Sequence, residues 1–241
     1  MKCIVVFKWS RNPQDARVGS DGSVDWGAAK MSANDDDPAA ILVARGLVAG
    51  GGELVGLTIG DGDVAWAAAR GAASTVVVTD ARTEPDSALT GAVLAAGVHR
   101  IGDADVVLVG DSAWDYGVVA ALAGQLGWPT LANVVSAEVR GSGLRVTCKA
   151  GAGTQVVDVA GPAVLAVAAS RAEQQVPGMK EVLAARRKPV TRLSQADLGV
   201  QCAATVALRG TKLPATAAAR IFVGADAVAQ VVAALRTDGV L

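Results

Sequence analysis

Residues 106–126 read Val106-Val107-Leu108-Val109-Gly110-Asp111-Ser112-Ala113-Trp114-Asp115-Tyr116-Gly117-Val118-Val119-Ala120-Ala121-Leu122-Ala123-Gly124-Gln125-Leu126. The stretch opens on a continuous apolar run, the signature of a strand covered on both faces. It closes on Val, Leu and Ala at helical spacing, after a glycine-bearing loop. The same order recurs upstream. Apolar runs at 4–7, 54–59 and 75–78 alternate with helical stretches at 38–48, 63–70 and 86–100, and 118–126 continues the series. Alternation of this kind implies an α/β fold with a doubly wound, mostly parallel sheet. Ligands of such sheets sit at the carboxyl ends of the strands, where the strand order reverses.

Beyond Trp128-Pro129 the pattern changes. Runs at 133–139, 144–149 and 154–159 are separated by Arg140-Gly141-Ser142-Gly143 and Ala150-Gly151-Ala152-Gly153. Glycine-bearing turns between short strands predict an antiparallel β-meander. Pro162 opens a further apolar run at 163–168. Residues 189–220 carry few core signals, and a last amphipathic helix is predicted over 225–236. The expected division is an α/β nucleotide-binding domain over 1–188, including the meander at 133–168, and a C-terminal arm over 189–241. An arm ending in an amphipathic helix packs on another subunit or folds back on its own domain.

The chain has 241 residues, 51% hydrophobic and 19% charged, with a net charge of −1. That content supports a sizeable core. The charge balance argues against nucleic acid, which requires a basic face. Mean hydropathy is +0.38, carried by short Ala and Val side chains. No apolar run approaches the length of a membrane span. The apolar part of Met1–Lys8 is too short for a signal peptide. Cys3, Cys148 and Cys202 are scattered and form no Cys-x-x-Cys pair, which points to a reducing, cytoplasmic setting. The single histidine, His99, sits at a predicted helix end, where the dipole favours it. No nucleophile elbow, metalloprotease or P-loop motif occurs. Binding and positioning, rather than catalysis, is the expected role.

Three stretches could carry that role. The loop from Gly110 into the helix at Asp115, Tyr116, Gly117, Val118, Val119 and Ala120 offers free backbone N–H groups and a helix dipole to a phosphate; Asp115 as a plain helix cap is the alternative. Asn34-Asp35-Asp36-Asp37-Pro38 can be a helix start, with Asn34 as cap and acids in the first turn. A metal site is the sharper alternative there, though three adjacent carboxylates do not converge on one ion. Gly60-Asp61-Gly62-Asp63-Val64-Ala65 matches G-x-G-x-x-A after a strand, with Asp80 at dinucleotide spacing. It would make the chain a stand-alone NAD enzyme or an adenine-nucleotide sensor, with Asp61 and Asp63 repelling the pyrophosphate.

Several segments, in order, resemble the β subunit of electron transfer flavoprotein, including its Fix-type relatives. They are Val6-Phe7-Lys8, Lys30-Met31-Ser32-Ala33-Asn34, Val106–Ala113, Leu126-Gly127-Trp128-Pro129, Gly161-Pro162-Ala163-Val164, Val176–Leu183 with Arg186-Arg187-Lys188-Pro189-Val190, and Ala196-Asp197-Leu198-Gly199. The resemblance covers nearly the whole chain. It implies a Rossmann-like, adenine-nucleotide-binding fold in a heterodimer whose α subunit carries the redox FAD. It implies AMP, or a second FAD, in this subunit, held at Val6, Asn34, Asp35, Asp36, Asp37, Ile59 and residues 115 to 120. It implies dehydrogenase and quinone-reductase type redox partners, met by a recognition loop containing Val176, Pro177, Met179 and Lys180. The loop after Gly110 lacks the family's Gln-x-Gly, which leaves AMP, FAD and an empty site all open. An exposed Val176 would be a small apolar anchor, and Arg186, Arg187 and Lys188 could steer acidic partners.

Overall fold

The computed structural model describes residues 1–60, 62–83, 85–111, 116–168, 176–200, 205–215 and 219–241. The strands are β1 (Lys2–Val6), β2 (Trp9–Arg11), β3 (Arg17–Val18), β4 (Val24–Asp25), β5 (Met31–Ala33), β6 (Glu53–Ile59), β7 (Ser74–Val78), β8 (Val106–Gly110), β9 (Thr130–Arg140), β10 (Gly143–Ala150), β11 (Gly153–Val159), β12 (Ala163–Val167) and β13 (Val190–Leu193). The helices are α1 (Asp37–Val48), α2 (Trp66–Ala69), α3 (Ser87–Ile101), α4 (Tyr116–Leu126), α5 (Met179–Ala185) and α6 (Ala227–Thr237). One compact unit comprises Met1–Arg17 and Asp25–Arg209, and a second comprises Val18–Val24 and Gly210–Leu241.

In the first unit a nine-stranded sheet has the order β11-β10-β9-β12-β8-β1-β6-β7-β13. Pairing is parallel from β9 through to β13, and antiparallel where β9, β10 and β11 form the expected meander. The central strands are covered on both faces, which is why their sequences read as unbroken apolar runs. Cys3, Val5, Leu108 and Leu165 face α1 through Ala40, Ile41, Ala44 and Leu47. Ile4, Leu57, Val107 and Val164 face α3 and α4 through Leu94, Val98, Val119 and Leu122. Small residues set the helix spacing: a Cβ on Gly91 of α3 would stand 2.5 Å from the Cβ of Ala121 on α4.

Three elements differ from expectation. A helix was expected over 63–70, but α2 is one turn. Asp63 accepts the N–H of Ala65 at 3.0 Å, which holds the chain in a turn, and Gly71 at φ +114° ends the segment. Strand β9 starts at Thr130, where it runs parallel to β12 before entering the meander. The sheet also continues past residue 188, because Val190–Leu193 pairs with Thr75–Val78. The Lys188 ammonium secures that return by donating to the carbonyls of Ala68 (3.0 Å) and Ala72 (2.6 Å). The first unit therefore runs to Arg209.

Asp86 ties the end of that unit to α3. One carboxylate oxygen accepts the N–H groups of Ala88 (2.9 Å) and Leu89 (3.0 Å), capping the helix. The other accepts the N–H (2.7 Å) and hydroxyl (2.9 Å) of Thr205. The Leu89 amide, followed by the Thr205 donors, holds the carboxyl down at about 2. The stabilisation is present above the ordinary carboxylate range and is lost as pH falls towards 2. Asp86→Ala is expected to lower stability and to raise hydrogen exchange at Thr205 and Val206. Unchanged protection of those two amides would remove the clip from the account.

Within the second unit, the Thr211 hydroxyl donates to the Gly22 carbonyl at 2.7 Å. Helix α6 buries no side chain. Ile221, Val223 and Val228 are 82%, 79% and 77% exposed. A helix of eleven residues is too short to persist in water without a covering surface.

Candidate functional site

The strand order reverses between β1 and β8. From β1 the chain passes to β6 and β7 on one side, then crosses through α3 to β8 on the other. A crevice at this switch point is the position where doubly wound sheets take ligands. Val6 and Ile59 end their strands at this edge. Val6 is buried, and Ile59 is half-buried between two apolar clusters. Both offer the edge backbone rather than a polar side chain. Helix α1 starts at this edge on one face of the sheet, and α4 starts there on the other.

Asp37 organises the α1 side. Its Oδ2 accepts the N–H of Lys8 at 2.9 Å and of Asn34 at 3.3 Å. It is 2% exposed, and burial pushes its pKa up to about 8 against the pull of those two amides. The carboxyl is therefore largely uncharged at neutral pH. Gly110 makes this packing possible, since a Cβ there would lie 2.8 Å from Asp37 Oδ1 and 2.9 Å from both Asp36 Cβ and the Asp37 amide nitrogen. Asp37 thus ties the end of β1 to the start of α1.

The expected cap of α1 by Asn34 is not made. Asn34 Oδ1 accepts the N–H of Asp35 at 2.9 Å, and Asp36 occupies the cap position without a side-chain cap bond. Asn34 also donates its N–H to the Lys8 carbonyl at 3.2 Å. Asp35 and Asp36 are half-exposed or more open, so they, unlike Asp37, can meet a ligand.

On the α4 side, Asp115 lies outside the described residues, and of Tyr116 only the backbone is described. A Cβ on Gly117 would stand 3.0 Å from the Ser87 hydroxyl, so α4 begins pressed on the start of α3. Val118 and Val119 pack into the sheet-facing cluster, while Ala120 is exposed. The first N–H groups of a helix have no partner within it. The edge then combines those donors with an Asp37 whose raised pKa spares an anion one repulsion, while Gly110 and Gly117 give their space to Asp36, Asp37 and Ser87 rather than to a ligand. These residues fit a phosphate-bearing nucleotide.

The glycine stretch at 60–65 fits one poorly. Gly62 is filled by Trp9, whose Cβ would be 2.3 Å from an added Cβ. The following helix is the single turn α2. Asp80, the residue that would bind a ribose, accepts the N–H of Gln195 at 2.7 Å. Asp61 lies outside the described residues. The cysteines offer no ready nucleophile: burial pushes the Cys3 thiol up to about 12 and raises that of Cys148, and Cys202 lies outside the described residues.

The recognition segment is half helix. Val176 is 85% exposed and Pro177 half-buried ahead of α5, whose first two residues are Met179 and Lys180. Met179 and Leu183, one turn apart, are also exposed. Arg186 and Arg187 are exposed, but Lys188 is held by the two carbonyls already described.

One edge feature escaped the sequence reading. Asp111 donates its N–H to the Val167 carbonyl at 2.8 Å, and its Oδ2 accepts the N–H of Asn133 at 2.7 Å. Asn133 has φ +54°. The only signal was Asn itself, a residue that tolerates the left-handed region.

Comparison with known proteins bears on the same stretch of chain. The family model for the electron transfer flavoprotein domain matches residues 27–198. A protein named electron transfer flavoprotein subunit beta from Bradyrhizobium diazoefficiens is 29% identical over 237 residues, covering 93% of each chain. Another of that name from Syntrophomonas wolfei is 36% identical over 95 residues, 38% of each chain.

Proposed function

Because the chain belongs to the electron transfer flavoprotein family, we propose that it works as a β subunit: an electron-carrier component rather than an enzyme by itself. It pairs with an α subunit and helps it hold the FAD that moves electrons from a dehydrogenase to a quinone-reductase type acceptor. The flavin supplies the redox chemistry by taking up and passing on electrons, and the protein supplies its position. In the crevice this chain holds AMP or a second FAD.

The observation that carries this reading is the β1–β8 switch point flanked by the starts of α1 and α4, of which β8, α1 and α4 lie within the matched residues 27–198. Val6 and Ile59 contribute backbone. Asn34, Asp35 and Asp36 border the ligand, and Asp37 braces them from beneath. Residues 115 to 120 receive the phosphate. The exposed apolar residues of α6 and of the chain before it support burial against the α subunit, the role given to the arm from 189 onward. Val176, Pro177, Met179 and Lys180 form the surface offered to redox partners. Among the described residues no helix is long and apolar enough to cross a membrane, and the cytoplasm is the proposed compartment.

The test is coexpression with an α-type subunit, followed by mass analysis of the small molecules released on denaturation. AMP, or FAD beyond one per heterodimer, is the expected result. Tight NAD, or failure of the two chains to associate, would overturn the reading.

A further inference from the structure

The sheet carries a further hollow at its amino edge, opposite the switch-point crevice. It lies between the last turn of α3 and strands β6, β7 and β13, and its volume is about 200 Å³. One strand length, on the order of 15 Å, separates the two edges. Val55, Val76 and Leu193 on the sheet and Ile101 on the helix give it an apolar floor. Side chains alternate between the faces of a strand. Glu53, Ser74 and Thr191 therefore rise on the same face as that floor, with Ser74 in register with Val55 and Thr191 with Val76.

The polar groups at the hollow differ in what they are free to do. The Lys2 ammonium is committed: it stands 3.6 Å from Glu53 Oε2 and donates to the Ile101 carbonyl at 3.2 Å. It thereby offsets the two features that would repel an anion, the Glu53 carboxylate and the negative pole at the end of α3. The hydroxyls of Ser74 and Thr191 and the guanidinium of Arg100 make no hydrogen bond or ion pair among the described residues. Arg100 also helps to hold the Asp197 carboxyl low, behind the N–H and hydroxyl of Ser194. A guanidinium fork takes both oxygens of a carboxylate, and the two hydroxyls add donors. Few polar groups over an apolar floor are the usual make-up of a small-molecule pocket.

We propose that this hollow is a second ligand site, taking a small carboxylate with a compact aliphatic tail. Arg100, Ser74 and Thr191 hold the carboxylate, and the floor holds the tail. The site shares no residue with the crevice at the carboxyl edge, so it stands or falls independently of the nucleotide reading.

Titration of the isotopically labelled full chain with pivalate, followed through amide chemical shifts, tests it. The expected result is saturable shifts at Ser74, Arg100 and Thr191, with half-saturation on the order of 1 mM for so small a ligand. Acetate has the same head and less tail, and is expected to bind about tenfold more weakly because less apolar surface leaves water. Arg100→Gln, a change at an exposed helix end, is expected to weaken pivalate about tenfold, the worth of a charge-assisted hydrogen bond. Thr191→Val keeps the shape, removes the hydroxyl and is expected to weaken it by a smaller factor. Arg187→Gln alters an exposed arginine that does not line the hollow, and should leave the affinity unchanged. The inference is overturned by the absence of saturable shifts up to tens of millimolar, or by equal affinity for acetate. It is overturned equally by an Arg100→Gln chain that binds pivalate like the wild type, or by the same loss in Arg187→Gln.

Discussion

Gly110→Ala is expected to destabilise the fold by about 1–3 kcal/mol, the usual range for overpacking a tight site, and to abolish nucleotide retention. The added methyl group would meet Asp37 Oδ1 at 2.8 Å and the Asp37 amide nitrogen and Asp36 Cβ at 2.9 Å. Two of those three atoms belong to, or sit directly on, the backbone at the start of α1, so no rotamer change relieves the clash. Helix α1 must retreat from β8, and the two walls of the crevice part with it. Urea denaturation together with the nucleotide content of the purified protein reads both effects. Wild-type stability with a full nucleotide complement would mean that the close packing of Gly110 on Asp37 does not set the position of α1.

Asp37→Asn is expected to raise stability at and above pH 8. The folded-state pKa is about 8, raised from the ordinary 3.8 by burial. Between those two values the folded protein keeps a proton that the unfolded chain releases. Its contribution is therefore complete below about pH 4 and declines as pH rises towards 8, with a slope of at most about 1.4 kcal/mol per pH unit. Asparagine presents the same neutral carbonyl oxygen to the amides of Lys8 and Asn34 with no proton to lose. The wild type should lose stability steadily from about pH 4 to pH 8 and level off above, and the variant should hold level throughout. Parallel pH profiles from denaturant melts between pH 5 and 9 would show that Asp37 is ionised throughout.

These two residues also mark where sequence reading stopped. Asp37 was legible as part of an acidic helix start, and the reading placed it among the residues around a bound nucleotide. Its burial depends on Lys8, 29 positions away, and on a glycine at the end of a third strand. Asp86 was legible only as the edge of a predicted helix. Its second set of partners lies 119 positions on, at Thr205. Asn133 was legible as a strand residue, yet its conformation is imposed by an aspartate 22 positions earlier and by slippage against two neighbouring strands. Conversely, the glycine stretch at 60–65 had a local pattern that suited a dinucleotide. Trp9 and a one-turn helix, neither visible in that pattern, exclude its fingerprint geometry.

Local patterning along the chain is enough to specify the sheet. Apolar runs of strand length, alternating with Ala-rich helical stretches, can bury their side chains only between two layers of helices, and glycine turns at the right spacing produce the meander. That information is periodic and local, so it is readable along the chain. Tertiary structure decided the insertion of β12 between β8 and β9, the return of β13 to the far edge, the neutral state of Asp37 and the bulge at Asn133. Each of these depends on which distant groups meet, and the free energy of burying a carboxyl or bending a strand is set by those neighbours rather than by the residue's own identity.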